Sequence, residues 1–280
     1  MAVNVPSSSR IAFQGERGAF SEEAAVKLLG EDIQLVPRTT FELLYSSIKD
    51  GAADYILAPI ENSLAGSVHR SYDLLITSGL HIQAEVVIPI VHNLIGMPGA
   101  TFEKITQVSS HPVALAQCER FFASHPDIKR VATDDTAGSV REVTGAGDPT
   151  KAGIASKRAA KVYGGVILRE HLEDHPENYT RFLLLAPSAD VAENADKLSL
   201  VLYLAHKPGS LCSVLNAFAR RNLNLLKIES RPIPGTPWSY CFYLDLQASL
   251  KDEQTRAALE ELKDFADSVK ILGCYPQARV

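Results

Sequence analysis

The chain has 280 residues, of which 46% are hydrophobic and 22% are charged, a composition typical of globular proteins with about two domains. The net charge of -5 argues against a dedicated nucleic-acid or membrane-surface protein. No apolar run approaches the roughly 20 residues of a membrane-spanning helix, and Met1–Arg10 lacks the apolar core of a secretory signal.

The first predicted elements form a strand, a glycine-containing turn and a helix. Residues 10–14 (Arg-Ile-Ala-Phe-Gln) predict the strand, Gly15 and Gly18 permit a tight turn, and Ser21 is the expected N-cap of the helix. Free N–H groups and the helix dipole would point the same way there, so this junction could bind an anion. An ordinary turn with a helix cap remains the alternative.

A second junction of this kind follows the apolar strand predicted over residues 55–60. Asn62 can donate and accept hydrogen bonds, and Ser63 or Ser67 can cap the following helix. A capping motif without a ligand is the alternative interpretation.

The middle of the chain predicts a long strand over residues 82–92 that passes from one lobe to another. A third junction at residues 108–112 leads into one helix over residues 113–122, from which Gln117 would face a cleft. His111 precedes a proline and is held extended, so we expect a positioning role for it rather than acid–base chemistry.

The last junctions of the first part lie at residues 134–139 and 177–182. The second places Thr180, Arg181 and Phe182 directly before a buried strand, where open α/β sheets bind ligands. The repeated junctions predict two α/β lobes whose helix N-termini face a common cleft, suited to a small dicarboxylate or an amino acid. The sequence contains no cluster with metal-ligand spacing, so we expect no metal and no cofactor.

The C-terminal part follows a small, polar, linker-like segment at residues 187–197. Its elements occur in the order βαββαβ, which is the ferredoxin-like arrangement. A lone domain of this kind has an open sheet edge, so we expect a homo-oligomer, either a dimer or a tetramer.

The cysteines have no CxxC spacing and mostly lie in apolar surroundings. Cys118, Cys212, Cys241 and Cys274 are therefore expected to be reduced packing residues of a cytoplasmic protein.

Several of these motifs, taken in order, resemble the prephenate dehydratase family followed by an ACT regulatory domain. They are Gly18-Ala19-Phe20-Ser21-Glu22, Pro59-Ile60-Glu61-Asn62-Ser63, Ser110-His111-Pro112, Asp135-Thr136-Ala137, Asn178-Tyr179-Thr180-Arg181-Phe182 and Glu229-Ser230-Arg231-Pro232. The resemblance implies a two-lobed, periplasmic-binding-protein-like catalytic domain over residues 1–190 and a ferredoxin-like ACT domain over residues 198–280.

The resemblance also implies an activity, the decarboxylating dehydration of prephenate to phenylpyruvate in phenylalanine biosynthesis. We assign the catalytic roles to Thr180, Asn62 and Gln117, with Thr180 as the donor to the departing hydroxyl. The residues assigned to substrate binding are Ser21, Ser63, Thr136, Arg181 and Phe182. For Arg181, a structural ion pair with Glu61 or another acidic group is the alternative.

L-phenylalanine is the effector that the resemblance implies for the ACT domain. The residues assigned to it are Gly209, Ser210, Leu211, Glu229, Ser230, Arg231 and Pro232. Ser210 and Cys212 replace the Ala and Val of the family, so the resemblance leaves the strength and the sign of regulation open, and Val113 replaces a Gln after Ser-His-Pro. Arogenate dehydratase and a non-catalytic amino-acid-binding protein are the alternative functions.

Overall fold

The computed structural model describes residues 5–279, which form two compact units. The larger unit contains the residues up to His69 together with Val86–Phe182, and the smaller unit contains Arg70–Glu85 together with Leu183–Arg279. No helix within residues 5–279 combines the length and the apolar character that a membrane-spanning segment requires.

Strands and helices alternate along most of the chain. The strands are β1 (Arg10–Gln14), β2 (Gln34–Arg38), β3 (Tyr55–Asn62), β4 (Gly66–Ser67), β5 (His81–Pro89), β6 (Asn93–Gly96), β7 (Gln107–Ser110), β8 (Lys129–Ala132), β9 (Lys151–Ala155), β10 (Val166–Arg169), β11 (Tyr179–Ala186), β12 (Lys197–Leu204), β13 (Asn224–Pro232), β14 (Tyr240–Gln247) and β15 (Ala266–Tyr275). The helices are α1 (Phe20–Leu29), α2 (Phe41–Lys49), α3 (His69–Ser78), α4 (Pro112–Ala116), α5 (Glu119–Ala123), α6 (Thr136–Ala146), α7 (Lys157–Tyr163), α8 (Ser210–Ala219) and α9 (Glu253–Glu261), with short 3-10 helices at Phe102–Lys104 and Leu262–Asp264.

The strands form three sheets, with two in the α/β part of the chain and one at its C-terminal end. The first has the order β2-β1-β3-β11-β5, with β4 paired to β3, and the second has the order β10-β6-β9-β7-β8. β1 is parallel to β2 and β3, and β7 is parallel to β8 and β9. The two α/β lobes predicted from the repeated strand–helix junctions are therefore confirmed.

The third sheet has the order β13-β14-β12-β15. Its three pairings are all antiparallel, and α8 and α9 connect β12 to β13 and β14 to β15. This is the ferredoxin-like topology, as predicted. Alternate residues of the strands, such as Leu200, Leu202 and Leu244, pack with Val214 and Phe218 of α8 in one core.

Side chains from α3 and the start of β5 pack against other parts of the smaller unit. Tyr72 packs edge-to-face on Tyr243 with 4.6 Å between ring centroids, and Asp73 accepts two hydrogen bonds of 2.9 Å from Arg231. The Lys197 ammonium lies 2.9 Å from a carboxylate oxygen of Glu85, and both side chains are almost completely buried. A Cβ on Gly273 would lie 2.5 Å from the carbonyl oxygen of Ile82.

The start of α1 differs from the sequence prediction. The helix begins at Phe20 with Ala19 as N-cap, so the expectation that Ser21 caps it is wrong. The Glu22 carboxylate instead accepts the Gly18 N–H at 2.9 Å, and the same carboxylate is bound by Arg17 and Arg158. A buried acidic side chain one turn inside the helix thus satisfies a backbone donor of the preceding turn.

The helix predicted over residues 113–122 is broken into α4 and α5, so that expectation is wrong too. Gln117 is the C-cap of α4, and its carbonyl oxygen accepts the Asp174 N–H at 2.8 Å. The Asp174 carboxylate accepts the N–H groups of Glu119 and Arg120, at 2.8 and 2.9 Å, and so starts a new helix. The long extended run over residues 82–92 likewise becomes β5 and a short connection to β6.

Candidate active site

A cavity of 380 Å³ lies within the larger unit and receives residues from both of its lobes. The lining residues are Gln14, Phe20, Ser21, Pro59, Asn62, Ala65, Val68, Ile90, His92, His111, Val113, Ala114, Gln117, Thr136, Thr180 and Phe182. These sixteen residues include no lysine, arginine, aspartate or glutamate. An anion in this cavity would therefore depend on neutral hydrogen-bond donors and on the N-terminal ends of α1 and α6.

Thr180 lines the cavity at the start of β11, and its hydroxyl is oriented by Asn62. The Asn62 amide nitrogen donates to Thr180 Oγ1 at 3.0 Å. Because the threonine oxygen accepts this bond, its own hydrogen is available for another acceptor, and no described residue takes it. The hydroxyl is thus a donor that a ligand in the cavity can use.

Asn62 is held at the end of β3 by backbone groups on both sides. Its side-chain oxygen accepts the N–H groups of Leu64 and Ala65, at 3.0 and 2.8 Å. Its side-chain nitrogen donates to Asn178 Oδ1 at 2.7 Å and to the carbonyl oxygen of Tyr179 at 3.1 Å. The asparagine therefore fixes the turn after β3 to the start of β11.

Two further residues continue this arrangement toward α4. The Asn178 amide nitrogen donates to Gln117 Oε1 at 3.0 Å, and His92 Nε2 lies 2.8 Å from the same oxygen. The sequence alone predicted no role for Asn178 or His92, although both are almost completely buried. Asn178 belongs to the motif at residues 178–182, whereas His92 follows an apolar run and belongs to no motif that would predict a functional role.

His92 is held by its backbone as well as by its ring. Its N–H donates to Glu173 at 2.8 Å, its carbonyl oxygen accepts the Leu172 N–H at 2.8 Å, and its ring packs edge-to-face against Phe20. Burial lowers the pKa of His92, against smaller opposing effects of Gln117 and Glu173. Its imidazole is therefore neutral at neutral pH.

The cavity does not contain all the residues assigned to substrate binding. Ser21, Thr136 and Phe182 line it, whereas Ser63 and Arg181 are not among its lining residues. Ser63 accepts the Tyr179 N–H at 2.9 Å and donates to the carbonyl oxygen of residue 177 at 3.0 Å. Arg181 lies 3.2 Å from Glu61 in an ion pair, which is the structural alternative given above.

Comparison with known proteins agrees with the motifs that line this cavity. The sequence profile described as "Prephenate dehydratase" matches residues 11–190. The chain belongs to the prephenate dehydratase family. A second profile, described as "ACT domain", matches residues 199–264.

Individual relatives extend over nearly the whole chain. Arogenate dehydratase/prephenate dehydratase 1 of Arabidopsis thaliana is 41% identical over 96% of this chain and 72% of its own length. The bifunctional chorismate mutase/prephenate dehydratase of Neisseria gonorrhoeae is 36% identical over 96% of this chain and 74% of its own. The solved prephenate dehydratase of Arthrobacter aurescens in complex with L-Phe has a TM-score of 0.88 and 31% identity, covering 96% of this chain and 90% of that one. The chain is thus a dehydratase, a carbon–oxygen lyase.

A second cavity, of 490 Å³, lies in the ACT domain of this dehydratase. Ser210 and Leu211 are among its lining residues, together with Tyr203, Leu204, Ala205, His206, Lys207, Ile233, Thr236, Ser239, Tyr240, Phe242 and Asp267. Gly209 precedes α8 with a φ of 85°, and Ser210 donates to the carbonyl oxygen of Ala205 at 2.8 Å. The start of α8 is thus built as a tight turn beside a cavity.

The Glu-Ser-Arg-Pro motif of the ACT domain lies on the edge strand β13 and is not among the residues that line this cavity. Its side chains alternate, with Glu229 and Arg231 partly buried and Ser230 and Pro232 exposed. Arg231 is paired with Asp73, as described above, and Glu229 lies 3.9 Å from Lys227. Of the residues assigned to L-phenylalanine, Ser210 and Leu211 therefore line the cavity and Glu229–Pro232 do not, although Ile233, which directly follows Pro232, does.

Proposed function

We propose that this dehydratase converts prephenate to phenylpyruvate, carbon dioxide and water, and that L-phenylalanine regulates it by feedback. The observation that carries the proposal is the position of Thr180, which lines the cavity while Asn62 donates to its hydroxyl oxygen and no described residue accepts its hydrogen. The four unpaired cysteines are consistent with the cytoplasmic location included in the proposal.

The reaction needs a donor for a poor leaving group. The bond from the ring carbon to the carboxylate breaks, its electron pair enters the ring, and the ring hydroxyl leaves with its own electron pair and takes up a proton to become water. The ring becomes aromatic, which drives both bond cleavages. A donor aimed at the departing oxygen stabilises the charge that develops on it.

Thr180 fits this requirement as a hydrogen-bond donor rather than as a strong acid. A threonine hydroxyl titrates far above neutral pH, so its contribution is to stabilise the negative charge that develops on the departing oxygen. Phe20 and Phe182 line the same cavity and would keep bulk solvent away from the leaving group. We infer that the proton itself comes from a water molecule bound with the substrate, because proton loss from the threonine would leave a high-energy alkoxide.

The two carboxylates of the substrate would bind neutral donors. Gln117 lines the cavity from the end of α4, and Ser21 and Thr136 lie in the first turns of α1 and α6. Such helix ends favour negative charge, by about 0.3–1 kcal/mol each at exposed sites and more where partly buried. Direct binding of a carboxylate by Arg181 has less support, because Arg181 is paired with Glu61.

The test is to incubate the purified protein separately with prephenate and with arogenate and to follow the products by absorbance and chromatography. Phenylpyruvate from prephenate at the higher kcat/KM supports the proposal. Preferential turnover of arogenate to phenylalanine would replace it by the alternative that the Arabidopsis relative suggests. Binding of an amino acid without turnover of either compound would favour a non-catalytic binding protein.

The homo-oligomer predicted from the ferredoxin-like topology, a dimer or a tetramer, belongs to the same proposal. β13 lies at one end of its sheet, and its Leu226 and Ile228 side chains are 37% and 42% exposed. An open edge with exposed apolar residues favours pairing with a second copy. Sedimentation velocity at several concentrations, with and without L-phenylalanine, tests this part; a monomer under all conditions would contradict it.

A further inference from the structure

A continuous series of hydrogen bonds connects the turn after β3 with the connection between β5 and β6. It passes from the backbone N–H groups of residues 64 and 65 to Asn62, then to Asn178, Gln117 and His92. Each link is between 2.7 and 3.0 Å. Four side chains from four separate parts of the sequence therefore share one series.

The backbone fixes the direction of every bond in this series. An N–H group can only donate, so the Asn62 atom facing residues 64 and 65 is its oxygen, and its nitrogen faces Asn178. The Asn178 atom that accepts is then its oxygen, and its nitrogen donates to Gln117 Oε1. Because Gln117 Oε1 is an acceptor, the His92 Nε2 beside it carries a hydrogen. The side-chain amide orientations and the histidine tautomer thus follow from backbone donors.

This direction leaves the Gln117 amide nitrogen as a donor. The Gln117 oxygen accepts two hydrogen bonds, from Asn178 and His92, whereas no residue in the described part of the chain accepts from its nitrogen. Gln117 also lines the cavity, so its N–H groups are available to a bound ligand. Without His92, the Gln117 oxygen would accept only from Asn178, and the Gln117 amide could rotate about that single hydrogen bond.

We propose that His92, as the neutral tautomer with a hydrogen on Nε2, is a positioning residue that holds Gln117 so that its amide nitrogen donates to the bound substrate. The inference rests on the function proposed above. Burial favours the neutral ring, and the packing of the ring on Phe20 and the two backbone bonds of His92 restrict its position. His92 acts through Gln117, and it transfers no proton in this scheme.

Substitutions at His92 separate the shape of the ring from its donor. His92→Phe keeps an aromatic ring, and His92→Asn keeps a short amide that does not reach Gln117; both should lower kcat/KM about tenfold to a hundredfold. His92→Gln places an amide nitrogen near the position of Nε2 and should restore most of the activity. His125→Phe is the matched control, because His125 bonds to the Phe121 carbonyl and does not line the cavity.

A mutant cycle tests whether His92 acts through Gln117. The double variant His92→Phe/Gln117→Leu should be no slower than Gln117→Leu alone, and both single variants should change the same parameter, kcat or KM. Losses that multiply in the double variant would overturn the proposal, as would wild-type kinetics in His92→Phe or in His92→Asn. If His92→Phe fails to fold, His92→Asn and His92→Gln decide the question.

The tautomer provides a readout that does not depend on turnover. Nitrogen-15 spectra of histidine-labelled protein without ligand, assigned by the signals lost in His92→Gln, should show a neutral ring with its hydrogen on Nε2. A hydrogen on Nδ1 would overturn the proposal whatever the kinetics. A protein that showed the expected tautomer but converted neither prephenate nor arogenate would refute the proposed function instead.

Discussion

Replacing Thr180 by valine removes the hydroxyl and keeps a β-branched side chain of similar shape on the strand. If the hydroxyl supports the leaving oxygen, the loss should be of the size measured for general-acid assistance, about 10²–10⁴ in kcat. At 1.36 kcal/mol per factor of ten, this is about 2.7–5.4 kcal/mol of transition-state stabilisation. KM should change much less, because the bond strengthens as charge develops.

The structure indicates that this variant folds. In the wild type the Asn62 amide nitrogen also donates to Asn178 at 2.7 Å and to the Tyr179 carbonyl at 3.1 Å. It would keep both acceptors, so we expect the free energy of unfolding to fall by only about 1 kcal/mol. Rates of phenylpyruvate formation, together with urea denaturation curves, measure the two effects separately.

Thr180→Ser is the matched control, since it keeps the hydroxyl and loses only a methyl group. It should retain kcat within about tenfold, because the donor remains and only its rotamer is less restricted. A valine variant that is folded and turns over prephenate at the wild-type rate would refute the role given to Thr180. A serine variant as slow as the valine variant would show that the methyl group, and not the hydroxyl, is what matters.

Three further predictions concern regulation and stability. Glu229→Ala should raise the L-phenylalanine concentration for half-inhibition at least about tenfold, as expected when a charged partner is lost; an unchanged value in inhibition assays would reject this residue as part of the effector site. Burial would raise the pKa of Glu22, but hydrogen bonds from two arginines and from Gly18 outweigh it and hold this pKa below its usual 4.5. The contribution of Glu22 to stability is therefore present above about pH 4.5 and is lost as the pH falls through the lowered pKa. Glu22→Gln should lower the free energy of unfolding at pH 7 by about 3 kcal/mol and make it depend less on pH in acid; an unchanged dependence on acid pH would contradict this. Gly18→Ala would place a Cβ 2.7 Å from the Cα of Ala159 at a φ of 83° and should lower the free energy of unfolding by more than about 2 kcal/mol. Gly51→Ala is the control, because a Cβ there has open space and only the strain of a positive φ. Equal decreases in the melting temperature of the two variants would argue against the close contact at Gly18.

The sequence predicted the fold well because its signals are local. Strand–helix alternation, glycine turns and the βαββαβ order each depend on short stretches, and the three sheets agree with them. Two of the errors, at Ser21 and in the helix predicted over residues 113–122, arose where a distant or unexpected carboxylate supplied the cap. Asp174 is more than fifty residues from the helix that it starts, so no local pattern could indicate it.

The candidate site was predicted in part for a similar reason. Thr180, Asn62 and Gln117 each follow or begin an element, and the structure places all three on one cavity. Their connection through Asn178 and His92 depends on side chains from distant segments, and a lone histidine after an apolar strand is usually a packing residue. The ion pair of Arg181 with Glu61 likewise depends on two strands that pair only in the folded protein.

The packing of Tyr72, Asp73 and Ile82 within the smaller unit bears on attempts to divide the protein. Truncating the chain within residues 187–197, where the composition suggests a domain boundary, would give a C-terminal fragment. That fragment would lack Tyr72, Asp73 and Ile82, which contact Tyr243, Arg231 and Gly273. That fragment would expose an aromatic ring, an arginine and a glycine surface to solvent and would tend to aggregate. Effector binding should therefore be studied with point variants of the whole chain rather than with truncated forms.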